Sequence, residues 1–295
     1  MSIKTKLLGL TAVVISSFIF SAQAAELVVG GKGYTEQLLL ASMTEQLLAD
    51  RGYDVEKLDG MGSMVLRKAQ LNKQVDMYWE YTGTSLRNYH KIKDKMSKQQ
   101  AYDTVKKLDL QQGLVWLNPS KANNTYALAI RNDDPNLTDI KSLSDMAAMI
   151  RDGKRLKFAT DILFPVLQDG LKPFQKTYGF KFKRLDVKKM EAGLTYQALK
   201  LKDVDIALVY STDGRIGAFN FRILKDDKSF FPDYSIVPVI RKDTLAKHPK
   251  IGELLNQLSA KLNDQSISNL NAQVDVDKKS IENVAAVFLK KQGLI

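Results

Sequence analysis

Two stretches, Thr125-Tyr126-Ala127-Leu128-Ala129-Ile130-Arg131-Asn132-Asp133 and Ser235-Ile236-Val237-Pro238-Val239-Ile240-Arg241-Lys242-Asp243, repeat one pattern. Each is an extended apolar run closed by Ile-Arg-x-Asp, and each gives way to a helical periodicity. Between them lies a self-contained α/β stretch. Strands are predicted near 157–159, 182–187 and 206–210, separated by helical patterns over 164–178 and 190–200. Matching runs on either side of such a stretch predict a chain that crosses twice between two α/β lobes with mainly parallel sheets. The first lobe would take residues 25–126 plus 241–295, and the second 127–240, crossover segments included.

Outward from the first run, the chain reads in the same alternating way. A short strand at 27–29 ends in Gly30-Gly31 and leads into a helix from Thr35 to about Asp50. Thr35 suits the N-cap, Glu36 the first turn and Gly52 the stop, while Leu39, Met43 and Leu47 recur on one face. Helical patterns follow at 63–72 and 98–112, with strands at 75–79 and 115–117. Beyond the second run the chain is mostly helical, at 245–261 and 279–290. A cleft between two such lobes is a natural small-molecule site.

Composition narrows what that cleft can do. The 295 residues are 44% hydrophobic and 26% charged, which suits two ordinary cores and excludes disorder. No cysteine is present, so thiol nucleophiles, disulfides, zinc ribbons and iron–sulfur clusters are excluded. The two histidines, His90 and His248, are far apart and stand in no triad context. Gly30-Gly31-Lys32-Gly33-Tyr34-Thr35-Glu36 lies where phosphate loops lie but fails both nucleotide fingerprints. Its helix-start amides and Lys32 could still meet an anionic group. With no nucleophile–base pair and no cofactor motif, neither an enzyme nor a resident cofactor is expected. The formal charge of +11 comes from scattered pairs such as Lys106-Lys107 and Lys188-Lys189, not from one stripe, so no nucleic-acid partner is expected.

The first 24 residues read as an address. Lys4 and Lys6 precede a 14-residue apolar stretch, Leu7 to Phe20, and Ala22-Gln23-Ala24 supplies a cleavage pattern. That stretch is short of the ~18–20 residues a membrane span needs. A cleaved signal peptide, a periplasmic destination and no cysteine-linked lipid anchor are expected.

Four tyrosines stand where the cleft would open. Tyr81 follows a predicted strand, Tyr210 ends one, and Tyr126 and Tyr234 open the two crossover runs. Aromatic faces converging on a cleft suit a quaternary ammonium, which donates no hydrogen bonds and is held by cation–π attraction and shape.

Gly31-Lys32-Gly33-Tyr34-Thr35-Glu36-Gln37, Glu80-Tyr81-Thr82-Gly83-Thr84, Asn123-Asn124-Thr125-Tyr126-Ala127-Leu128 and Tyr210-Ser211-Thr212-Asp213-Gly214-Arg215-Ile216 occur in an order that resembles a known family. The chain is similar to periplasmic substrate-binding proteins of osmoprotectant ABC importers, the glycine betaine/choline/carnitine type including its OsmF-like branch. The resemblance implies a two-lobed type II periplasmic binding fold that closes on its ligand. It also implies a tyrosine box at Tyr81, Tyr126, Tyr210 and Tyr234, with further contacts from Lys32 and Thr84. Two positions depart from the family pattern. Asn124 stands where many members have aspartate, and Leu167, beside Gln168, stands where many have an arginine that clamps a betaine carboxylate. Either the ligand lacks a carboxylate there, as choline does, or Lys32 and Gln168 serve. The implied partners are a small quaternary ammonium solute and an inner-membrane permease with its ATPase, the receptor itself being monomeric. The alternative is a receptor of the same fold for another solute, such as an amino acid or a polyamine; a polyamine site would want carboxylates, which Asn124 argues against.

Overall fold

A computed structural model describes residues 26–166 and 170–295. The expected signal segment 1–24 and the positions Leu167 and Gln168 lie outside the described residues. Among the described residues ten strands form two five-stranded sheets. They are β1 (Leu27–Lys32), β2 (Val55–Met61), β3 (Met77–Tyr81), β4 (Leu114–Trp116), β5 (Tyr126–Arg131), β6 (Phe158–Asp161), β7 (Val187–Met190), β8 (Ile206–Tyr210), β9 (Phe221–Ile223) and β10 (Ile236–Arg241). The first sheet runs β2-β1-β3-β10-β4 and the second β7-β6-β8-β5-β9.

Both sheets are mixed, which corrects the expectation of mainly parallel pairing. β1 is parallel to β2 and β3, and β6 to β7 and β8. β10 runs antiparallel to β3 and β4, and β5 to β8 and β9. The reason is the crossover itself. A chain arriving from the other sheet enters at the cleft, where the parallel strands end, and must run away from it. Sheet membership also places 236–240, grouped above with the second lobe, in the first sheet.

Each sheet has its own core. Helix Thr35–Asp50 buries Leu39, Met43 and Leu47, the face read from the sequence, against Trp79 of β3 and against Leu270 and Phe288 from the C-terminal helices. Around the second sheet, Leu128, Ile130, Phe158, Phe164, Phe174 and Leu208 pack together. The predicted strand at 182–187 is instead a 3-10 turn, Arg184–Asp186, before β7. Its apolar signal came from Phe182, which stacks on Phe158 at 4.9 Å as a core-filling loop residue. The predicted helix at 245–261 divides at His248-Pro249 into Lys242–Lys247 and Lys250–Ala260, because proline cannot supply an interior amide.

The two crossover segments lie side by side. Asn123 and Ser235 form a bridge, Asn124 N–H donates to the Tyr234 carbonyl, and Tyr234 N–H donates to Asn123 Oδ1 at 2.7 Å. Among the described residues no helix is long and apolar enough to cross a membrane.

Candidate ligand-binding cleft

β3 ends, β5 begins and β8 ends at one gap, and these ends carry Tyr81, Tyr126 and Tyr210. The gap encloses a cavity of 500 Å³ lined by those three, by Tyr234, and by Thr84 and Asn124. Six of the eight residues expected at the site therefore share one cavity. Gln168 lies outside the described residues. Lys32 is elsewhere.

The tyrosines reach the cavity by different routes. Tyr126 and Tyr210 face each other in antiparallel register and stack at 5.2 Å with planes 29° apart. Phe164 backs Tyr126 at 5.7 Å. Tyr81 is nearly fully buried, donating its hydroxyl to Glu36 Oε1 at 2.6 Å and accepting from Gln37 Nε2 at 3.0 Å. Tyr234 lies over Gly83, where a Cβ would stand 2.7 Å from its ring. Burial pushes the Tyr81, Tyr126 and Tyr210 hydroxyls above the usual phenol range, so all three stay neutral near pH 7.

Lys32 is buried behind this wall. Its ammonium pairs with Glu80 and lies 4.8 Å from the Tyr81 ring centre. Glu80 also accepts from the Tyr78 and Tyr89 hydroxyls and the Tyr81 amide, so its lone pairs are well used. Lys32 is not among the residues lining the cavity.

Several residues lining the cavity went unread in the sequence. Glu36, assigned there only to a helix first turn, is 3% exposed and joins distant parts of the chain. Its carboxylate accepts from Tyr81, from Asn124 Nδ2 at 3.0 Å and from Thr212 Oγ1 at 2.6 Å across the cleft. Burial raises its pKa, while the hydrogen bonds oppose that rise. Thr35, expected as an N-cap, is instead the first helical residue, with Tyr34 in the cap position, and its hydroxyl donates to Asp275 at 2.5 Å. Asp213 holds Arg215 through both oxygens, at 2.9 and 2.6 Å. Gly214 meets helix Asp264–Asp275 so closely that a Cβ would lie 2.2 Å from the Ala272 nitrogen. On the same seam, Asn271 Nδ2 donates to the Thr212 carbonyl and Ser268 Oγ to that of Asp213. One signal for this seam was available, the Asp-Gly after β8; its partner helix carries too polar a sequence to stand out.

No group of three or more metal-ligating side chains occurs among the described residues. The arrangement is a half-open, partly aromatic cavity of a size to hold a small cation.

Comparison with known proteins places the chain in a family. The family profile described as the substrate binding domain of ABC-type glycine betaine transport systems matches residues 25–291. A glycine-betaine-binding protein of Pseudomonas aeruginosa is 43% identical over 280 residues, covering 93% of this chain and 90% of its own. The glycine betaine-binding protein YehZ of Escherichia coli is 32% identical over 298 residues, 98% of each chain. The solved structure of apo YehZ superposes with a TM-score of 0.83 at 31% identity, covering 92% of this chain and 100% of that one. A glycine betaine/carnitine/choline ABC transporter structure superposes at 0.85 with 27% identity, covering 91% of this chain and 99% of its own. The two-sheet type II binding fold expected from the sequence is the fold these structures share. This chain belongs to the family of substrate-binding domains of ABC-type glycine betaine transport systems, whose members bind a solute for transport and are not enzymes.

Proposed function

We propose that this protein captures a small quaternary ammonium osmoprotectant, glycine betaine or choline or a close analogue, in the cavity between its sheets. It delivers that solute in the periplasm to an ABC permease and its ATPase, after export directed by residues 1–24. The observation carrying this reading is the convergence of Tyr81, Tyr126, Tyr210 and Tyr234 on one 500 Å³ cavity. Each ring face contributes roughly 0.5–2 kcal/mol to a bound cation. Three or four faces supply several of the ~8 kcal/mol that a micromolar dissociation constant requires.

The mechanism is closure without bond chemistry. Thr212 reaches Glu36 from the other sheet, so a cation touching both walls favours the arrangement in which they meet and shifts an existing equilibrium towards it. The test is calorimetry of the refolded, ligand-stripped protein against glycine betaine, choline, carnitine and proline betaine. Micromolar-range binding of at least one is expected. Silence from all four overturns the proposal.

A further inference from the structure

Glu36 joins three separate parts of the chain through one side chain. Its carboxylate accepts from Tyr81 at the end of β3, from Asn124 in the first crossover, and from Thr212 in the loop after β8. Tyr81 ends a strand of the first sheet, whereas Thr212 follows a strand of the second and lies 176 residues along the chain from Glu36. These donors are neutral, and Lys32 and Arg215 are paired elsewhere, with Glu80 and Asp213. A buried carboxylate is costly to leave with empty lone pairs, so each donor withdrawn raises its free energy. Tyr81 shares a core with the helix that carries Glu36, but Thr212 reaches the carboxylate only where the second sheet meets the first.

The loop bearing Thr212 is also fastened from the side of the first sheet. The Thr212 carbonyl accepts from Asn271 Nδ2 and the Asp213 carbonyl from Ser268 Oγ, both on helix Asp264–Asp275. That helix places Ile267 and Leu270 in the core that holds Leu39 and Trp79. Two residues before Thr212 stands Tyr210, whose ring stacks on Tyr126. One carboxylate therefore holds the hydroxyl of a cavity tyrosine on the first sheet and the loop that continues from a cavity tyrosine on the second.

We propose that Glu36 is a positioning residue for the cavity. By accepting from Tyr81, Asn124 and Thr212 together it sets the spacing between the two tyrosine walls, and it acts on ligand affinity through those donors, not through its own charge. The inference rests on the quaternary ammonium reading of the cavity.

Calorimetric titration near neutral pH and well below the melt tests it, with whichever of glycine betaine and choline binds the wild type tighter. Glu36→Gln keeps the network, because its amide oxygen can accept from Tyr81 and Asn124 while its amide nitrogen donates to the Thr212 hydroxyl. Its affinity is expected to stay within about threefold of the wild type, whereas Glu36→Ala should lose about tenfold or more. Thr212→Val removes the donor at nearly constant volume and should also lose about tenfold. Thr212→Ser keeps the hydroxyl and should stay within about threefold. In the double variant, Thr212→Val should cost less than about twofold beyond Glu36→Ala, because the bond it removes is already gone. A loss of about tenfold in Glu36→Gln overturns the proposal in favour of a charge role. Losses that add in the double variant, or equal losses in Thr212→Val and Thr212→Ser, overturn it too. If Glu36→Ala shows no cooperative melt, Glu36→Gln and the two Thr212 variants decide. Silence of the wild type towards both compounds overturns the cavity reading itself, whereas a wild type that binds beside unaffected variants overturns the positioning role alone.

Discussion

Tyr234 and Gly83 act as one unit, because the ring occupies the space a Cβ at residue 83 would need. Gly83→Ala is therefore expected to displace the ring and weaken the best ligand several-fold, comparably to Tyr234→Ala. Tyr210→Ala removes a wall that Tyr126 stacks on and should also cost several-fold. Unchanged calorimetric affinity in both tyrosine variants would remove them from the site. Lys32 yields the opposite pattern. Lys32→Met leaves buried Glu80 without its countercharge, and about 3–5 kcal/mol of stability should be lost. Calorimetric melting should fall sharply, while affinity measured well below the melt changes far less. Lost affinity at unchanged melting temperature would return Lys32 to the ligand. The place of the tyrosines on the cavity wall was legible because strand ends and crossovers can be located by pattern. The pairing of Lys32 with Glu80 was not legible, because Glu80 is in another strand and only the β1–β3 neighbourhood brings them together. Glu36 was missed for a related reason: a first-turn glutamate is common, and its burial depends on Thr212 arriving from the other sheet.

At the level of elements, the loop after β8 and helix Asp264–Asp275 form the seam that holds the two sheets together on the cleft side. Gly214 has an ordinary helical backbone at φ −63°, so alanine there is not strained locally. The obstacle is the Ala272 backbone, which cannot move aside as a flexible side chain would. Gly214→Ala is expected to leave each core intact and disfavour closure. If the closed fraction falls about tenfold, apparent affinity falls by the same factor. Small-angle scattering should then show a chain that stays extended at ligand concentrations that compact the wild type. Compaction of the Gly214→Ala variant at the same ligand concentrations as the wild type would refute this role for the seam. Neither that helix nor β2 was read from the sequence. The helix, DQSISNLNAQVD, is largely polar, and its cap comes from the reciprocal Asn263–Ser266 pair rather than from a hydrophobic stripe. β2, VEKLDGM, is an edge strand with an incomplete apolar alternation, as suits an edge that must not pair with another chain.

For the molecule as a whole, ligand binding should couple two cores that are otherwise separate. At a ligand concentration of 100 times Kd the closed state gains about 2.7 kcal/mol, corresponding to an upward shift of roughly 5–10 °C in melting temperature for a chain of this size. Differential scanning calorimetry with the tightest ligand found checks this; no shift at that saturation would mean the ligand binds the unfolded chain equally well. The twofold crossing was legible because the two Ile-Arg-x-Asp runs are both long and apolar. The strand directions were not, since pattern locates a strand without saying from which end the chain enters its sheet. That entry has a further consequence for the order of assembly. β10, the last strand in the chain, sits between β3 and β4, and it forms only after every strand of the second sheet has been made. A polypeptide emerging from its N-terminus therefore carries an unclosed first sheet, with the facing surfaces of β3 and β4 unjoined, until residue 241 arrives. All five strands of the second sheet are thus available before the first sheet can be closed.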